Sequence, residues 1–330
     1  MRKLYFLLPG TKGKFGGGGL WAELKTLRLA QQVCNAEIVT YRQKETDYLF
    51  LDNILNSVTV DECIFVVSWG FDVPKLIAKL KNYRVIYHAH SANYGFDLPA
   101  DVPIITVSRN TMGYWGERAN NSLIYYLPNQ IGEEFYDTDK TRDIDVLVQS
   151  RKSSQYLLKQ LIPALQTHCK VEIIDSYIKD LAALFNRSKV YLYDSAEYWK
   201  VSGVTEGFGL PPLEALACGC QVFSSINHAL ADYLDPGFNC YKIGCYGLEY
   251  DIDRILQVVN SGAKTQLSPA FWQQYQPEHL VNRLKVILTE INAFFDYQDN
   301  IKTSVPKLRF WRVQKLKINS AIAKIKRRIS

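Results

Sequence analysis

Short apolar runs alternate with amphipathic stretches along most of the chain. LYFLLP (4–9), AEIVTY (36–41), CIFVVSW (63–69), RVIYHAH (84–90), PIITVS (103–108) and SLIYYLP (122–128) read as strands, with helical spacing at 20–33 and 74–81 between them. The scheme repeats with IDVLVQS (144–150), KVEIIDS (170–176), KVYLYDS (189–195), CQVFSS (220–225) and CYKI (240–243), and with helices over 155–167, 178–187, 210–218 and 250–260. The strands are continuously apolar rather than alternating, the pattern of a parallel sheet covered by helices on both faces. Two successive doubly wound, Rossmann-like α/β units are expected, over 1–135 and 136–301, joined in the polar stretch 129–143.

Charge separates a third region. The net charge is +6, yet residues 302–330 hold ten Lys or Arg and no Asp or Glu, so residues 1–301 carry −4. The body therefore has no nucleic-acid signature. In the tail, Trp311, Ile318, Ile322, Ile325 and Ile329 fall near one helical face among basic residues. Such a helix suits an anionic membrane surface. No apolar run reaches the ~18 residues of a membrane span, and the N-terminal apolar segment is too short for a signal peptide. The seven cysteines are scattered without a CxxC pair, which favours neither a disulfide framework nor a zinc site. The expectation is a cytoplasmic protein, with the tail in peripheral contact with the inner face of a membrane.

Ligands of doubly wound sheets bind beyond the C-terminal ends of the strands, so the loops that follow strands carry the chemistry. Four glycines, Gly16, Gly17, Gly18 and Gly19, lie between the first strand and the first helix, where bare N–H groups can meet a phosphate. The loops at 88–95 (HAHSANYG), 149–154 (QSRKSS) and 205–215 (TEGFGLPPLEA) satisfy the same filter. In the last, Gly207 and Gly209 precede Pro211 and Pro212 at a helix start, which leaves N–H groups free for an anion. Glu206 and Glu214 flank that point. Carboxylates beside a phosphate site suit the hydroxyls of a sugar, to which they accept hydrogen bonds. The two DID triplets, 143–145 and 251–253, lie off these loops and read as structural rather than as metal ligands.

The stretch Glu206-Gly-Phe-Gly-Leu-Pro-Pro-Leu-Glu214 resembles the E-x7-E signature of retaining glycosyltransferase family 4, whose fold is GT-B. The flanking LAALFNRSKVYLYDSAEY and ALACGCQVFSS are similar to the family's approach to and exit from that motif, and YLPNQIGEEF to its inter-domain segment. The resemblance implies a transferase that moves a sugar from a nucleotide-diphosphate donor with retention, with no cofactor and no metal. It implies that Glu214 holds the ribose and Glu206 the donor sugar, beside Gly207, Phe208, Gly209 and Leu210, while Gly16 to Gly19 close on the diphosphate. His90, with His88 as alternative, would face the sugar. Arg151 and Lys152 would clamp the phosphates. The acceptor is a glycan, a lipid or another molecule, with Ser91, Asn93 and Tyr94 on its side of the cleft. The rival expectation is a non-catalytic nucleotide-sugar-binding or partner subunit on the same fold.

Overall fold

The computed structural model describes residues 1–176 and 178–329, without the side chains of Lys14, Lys326, Arg328 and Ile329. The N-terminal sheet contains β1 (Lys3–Leu8), β2 (Ala36–Thr40), β3 (Leu49–Phe50), β4 (Cys63–Ser68), β5 (Arg84–Ala89), β6 (Ile104–Thr106) and β7 (Ile124–Tyr126), in the order β3-β2-β1-β4-β5-β6-β7. The second sheet contains β8 (Ile144–Gln149), β9 (Val171–Ile174), β10 (Ser188–Tyr193), β11 (Gln221–Ser224) and β12 (Tyr241–Lys242), ordered β12-β11-β10-β8-β9. Every strand pairing is parallel.

All six residues of β4 and of β5 are buried, which is why those runs do not alternate. Successive side chains serve opposite faces. Tyr5, Leu7, Phe65, Val67 and Tyr87 enter one core of the first sheet, and Leu4, Phe6, Ile64, Val66 and Ile86 the other. The second sheet repeats this, with Leu147 and Tyr191 in one core and Val146, Val148, Val190 and Leu192 in the other.

Three features depart from the sequence pattern. The two-residue β3 is too short to show a period. The helix Arg109–Arg118 is hidden by low apolarity, although Ser108 caps it by accepting from the Thr111 N–H at 3.1 Å. Most consequentially, the stretch assigned to a C-terminal unit of 136–301 does not all pack there. The helix Pro277–Gln298 returns to the first sheet, where Leu280, Leu284, Ile287, Leu288, Ile291 and Phe295 join Leu4, Phe6 and Leu27 in one core. Buried Arg84, at the start of β5, binds Asp299 just beyond that helix at 2.6 and 2.9 Å. An apolar helical face at 277–298 has no strand after it, so nothing local says which sheet it covers.

Candidate active site

A cavity of about 390 Å³ lies where the C-terminal ends of the two sheets face each other. From the first domain, Gly18, Gly19, Trp69, His90 and Tyr94 line it; from the second come Arg151, Lys152, Trp199, Glu206 and the Gly207–Leu210 segment. The two walls touch directly. Ser91 Oγ donates to the Thr205 carbonyl at 2.5 Å, and the Ala92 N–H donates to Thr205 Oγ1 at 3.0 Å. A Cβ placed on Gly207 would lie 1.5 Å from the His90 carbonyl oxygen, so only glycine permits this approach.

The second-domain wall is built on one helix start. Gly209 takes a left-handed conformation (φ 79°) before the helix Leu210–Ala217, and Pro211 and Pro212 occupy its first turn, where no N–H partner is lost. Phe208 turns its ring into the core against Tyr233 and Tyr275, so only its backbone is available to a ligand. Glu206 is buried and held from all sides. Its Oε2 accepts from Tyr193 Oη at 2.7 Å, Trp199 Nε1 at 2.7 Å and Ser195 Oγ at 3.2 Å, while Lys152 Nζ lies 3.5 Å from Oε1. Burial and the Glu206 carboxylate together hold the Tyr193 phenol well above its ordinary pKa, so it stays a donor. Lys152 adopts φ 71° and lies over the Trp199 ring at 4.4 Å, a cation–π contact that aims the ammonium into the cavity.

The first-domain wall contains a group that sequence reasoning missed. Glu23, on the buried face of the helix Gly18–Gln31, accepts from both histidines: His88 Nδ1 and His90 Nε2 each lie 2.6 Å from its Oε2, and Ser68 Oγ donates to its Oε1. His88 and His90 project from the same side of the chain, as strand parity requires, with rings 4.3 Å apart. His90 lines the cavity and stacks on Trp69 at 5.7 Å; His88 lies behind it, and its Nε2 is buried without a partner among the described residues. Since His90 Nε2 is bonded to Glu23, the nitrogen left for a ligand is Nδ1. Burial and the neighbouring His88 lower the His90 pKa and keep the imidazole neutral, whereas the two imidazoles hold Glu23 well below the carboxylate range despite its burial. The signal was legible: Glu23 falls three residues after Leu20 and four before Leu27, an acidic residue on an apolar helix face. The donor atoms of Glu23, His88 and His90 lie within 4.8 Å of one another, near enough to hold a metal ion. Zinc–nitrogen bonds of about 2.0–2.1 Å would require the hydrogen-bonded trio to spread.

Other expected residues fall elsewhere. Gly18 and Gly19 line the cavity, but Gly16 and Gly17 do not. Gly19 is sterically obliged, because a Cβ there would meet Trp69 Nε1 at 2.7 Å; Gly17 and Gly18 face open space. Glu214 also lies outside the lining. It is buried one turn into its helix without a hydrogen-bond or ion-pair partner among the described residues, and burial raises its pKa to about 7, partly offset by Lys25. Ser91 and Tyr94 line the cavity, although the Ser91 hydroxyl is bonded to Thr205, and Asn93 is exposed with φ 70°. Asp143 pairs with Arg187 and Lys170, and Asp145 with Lys189. Asp251 accepts from Tyr156 and from the Gly244 N–H.

Comparisons with known proteins bear on this architecture. The sucrose-phosphate synthase of Thermosynechococcus elongatus superposes with a TM-score of 0.61 at 13% identity, covering 89% of this chain and all of that one. A glycosyltransferase from Rickettsia africae gives 0.62 at 13% identity, covering 88% and 98%. Anabaena HepE, solved in complex with UDP and glucose, gives 0.56 at 14% identity, covering 88% and 100%. No curated protein sequence matches the chain. Identities this low establish the fold alone, and that fold is GT-B. Within it, residues 139–266 match the family described as glycosyl transferases group 1.

Proposed function

We propose that the protein is a retaining glycosyltransferase of the family 4 type, moving a sugar from a nucleotide-diphosphate donor to an acceptor hydroxyl. The observation that carries this reading is the cavity itself. It brings Arg151, Lys152, the Gly18–Gly19 backbone and the helix start at Gly207–Leu210 around one space, with Glu206 and His90 on opposite walls. Cations and helix-start N–H groups stabilise a leaving diphosphate, and a fixed carboxylate and a neutral imidazole orient the hydroxyls of a sugar. In the reaction, the bond between the anomeric carbon and the diphosphate oxygen breaks. The acceptor oxygen bonds to that carbon from the same face, and its proton passes to the departing phosphate. Glu214, buried one turn into the same helix and outside the cavity lining, would accept hydrogen bonds from the ribose diol through its carboxylate. HepE was solved with UDP, which makes uridine nucleotides the first donors to try.

A thermal-shift panel of UDP, GDP, ADP and their sugar conjugates tests this reading. A nucleotide at 100 times its Kd adds about 2.7 kcal/mol of stability. One base should stand out, and incubation with its sugar conjugate should release the diphosphate with retained anomeric configuration in the sugar product. Binding without transfer or hydrolysis would instead make the chain a non-catalytic nucleotide-sugar-binding subunit. A folded protein that no nucleotide stabilises would sink the reading.

The tail is proposed to rest on an anionic membrane surface. The helix Phe310–Ile329 exposes Trp311, Ile318, Ile322 and Ile325; Ile329, expected on the same face, lies outside the described side chains. No described helix is long and apolar enough to cross a membrane. The full chain should sediment with phosphatidylglycerol vesicles and not with phosphatidylcholine vesicles, and deletion of 302–330 should abolish the difference.

A further inference from the structure

The first-domain wall of the cavity continues outward as a strip of aromatic rings. Trp69, Gly70 and Phe71 directly follow β4. Trp69 holds φ 65°, a left-handed conformation that a large side chain rarely adopts. The surroundings impose it: the Trp69 carbonyl accepts from Tyr87 Oη at 2.8 Å, and the indole stacks on His90 beside Gly19. A Cβ on Gly70 would meet the Tyr94 ring at 2.1 Å, so that ring lies against bare backbone. Phe71 packs edge-on against Tyr94 at 5.2 Å and is itself 77% exposed. The rings thus run from His90 through Trp69 and Tyr94 out to Phe71. Strained residues of this kind persist at ligand clamps, and an apolar ring left in water beside a cavity marks a surface that something covers.

From this arrangement we infer that the Trp69–Phe71 strip is the acceptor subsite and that its ligand is a neutral pyranose ring. The inference rests on the transferase reading above. A pyranose presents one face of C–H bonds, which fits an aromatic ring, and an edge of hydroxyls, which needs polar partners. Both are supplied here. Asn129 lines the same cavity, buried, with no side-chain hydrogen bond among the described residues, so its amide offers both a donor and an acceptor. An alkyl chain on this wall would leave that amide unsatisfied. An anionic ligand would find no Lys or Arg among the described side chains of the first-domain lining.

The test uses the full chain saturated with UDP and a panel of methyl pyranosides (gluco, galacto, manno and N-acetylglucosaminide), with hexane-1,6-diol as aliphatic control, read by saturation-transfer NMR. Two variants probe the strip. Phe71→Ala removes an exposed ring and leaves UDP binding unchanged. Trp69→Gly removes the indole at a backbone conformation glycine prefers, and its Tm checks that the variant is folded at the temperature of the binding measurement. At least one pyranoside should receive saturation at its ring protons. Its affinity should fall at least fivefold in Phe71→Ala and at least tenfold in Trp69→Gly. Three results would each overturn the subsite: no pyranoside bound by the parent, equal binding by parent and variants, or hexanediol competing as well as the sugars. Failure of the transferase reading looks different. No nucleotide would then bind, while pyranoside binding would still depend on Phe71.

Discussion

The two walls of the cavity are made in opposite ways. The second-domain wall takes its largest share from one contiguous stretch, Thr205 to Pro211, with Gln149, Arg151 and Lys152 from the end of one strand and Tyr193, Tyr198 and Trp199 from the end of another. The first-domain wall is collected from distant points: Gly19 and Glu23 on one helix, Ser68 and Trp69 at the end of one strand, His88 and His90 at the end of another. A helix start fixes its own geometry over a few residues, so its chemistry is written locally. A wall assembled from parallel strands is fixed by register, where β4 and β5 run side by side with Ser68 opposite His88. It survives only if several remote positions agree.

The largest expected effect therefore lies on the dispersed side. Glu23→Ala leaves two buried imidazoles and the Ser68 hydroxyl without their acceptor and should destabilise the protein by about 2–5 kcal/mol in urea unfolding, at about 1–3 kcal/mol for each buried group left unsatisfied. A cost under about 1 kcal/mol would mean the wall is not organised around that carboxylate. On the contiguous side, Glu206→Ala should lower transfer by about 10²–10³, equivalent to about 2.7–4 kcal/mol of barrier, with nucleotide Kd changed only a few-fold. A weakened Kd with turnover unchanged would show that Glu206 serves binding alone.

Glu214 sharpens the contrast through pH. Its folded pKa of about 7 lies above the ordinary 4.5, so the folded protein keeps that proton longer than the unfolded chain. Stability from this group therefore falls as pH rises from 4.5 to 7 and is level above. Glu214→Gln should remove that decline and be more stable than the parent by up to about 3 kcal/mol at pH 8, with no gain at pH 4. If the carboxylate holds the ribose, parental nucleotide affinity should rise through pH 7, and the variant's should not. The smallest effect separates glycines within one loop. Gly19→Ala must displace the Trp69 indole and should cost about 1–3 kcal/mol in Tm-derived stability. Gly17→Ala enters open space from an extended backbone and should stay within about 0.5 kcal/mol.

This contrast also decides how much could be read from the sequence. Continuous apolar runs placed eleven of the twelve strands among the described residues, because burial on both faces leaves a mark at every residue. Glu206 and the glycines after it stood out by local spacing. Trp69 could not, since its left-handed backbone and its contact with His90 depend on Gly19 and Tyr87, fifty and eighteen residues away. Glu23 stood between. Its place on an apolar helix face announced a buried charge, but not that its partners were imidazoles two strands over.

The return of Pro277–Gln298 to the first sheet has a mechanical consequence. The chain passes between the domains twice, once before β8 and once before Pro277, and the passages meet where the Ile131 N–H donates to the Tyr275 carbonyl at 3.3 Å. Two tethers that nearly coincide act as a pivot: they hold the halves together at that point and leave rotation about it free. Any opening of the cleft is then an angular movement, and the seam between Gly207 and His90, remote from the tethers in sequence, parts as one edge.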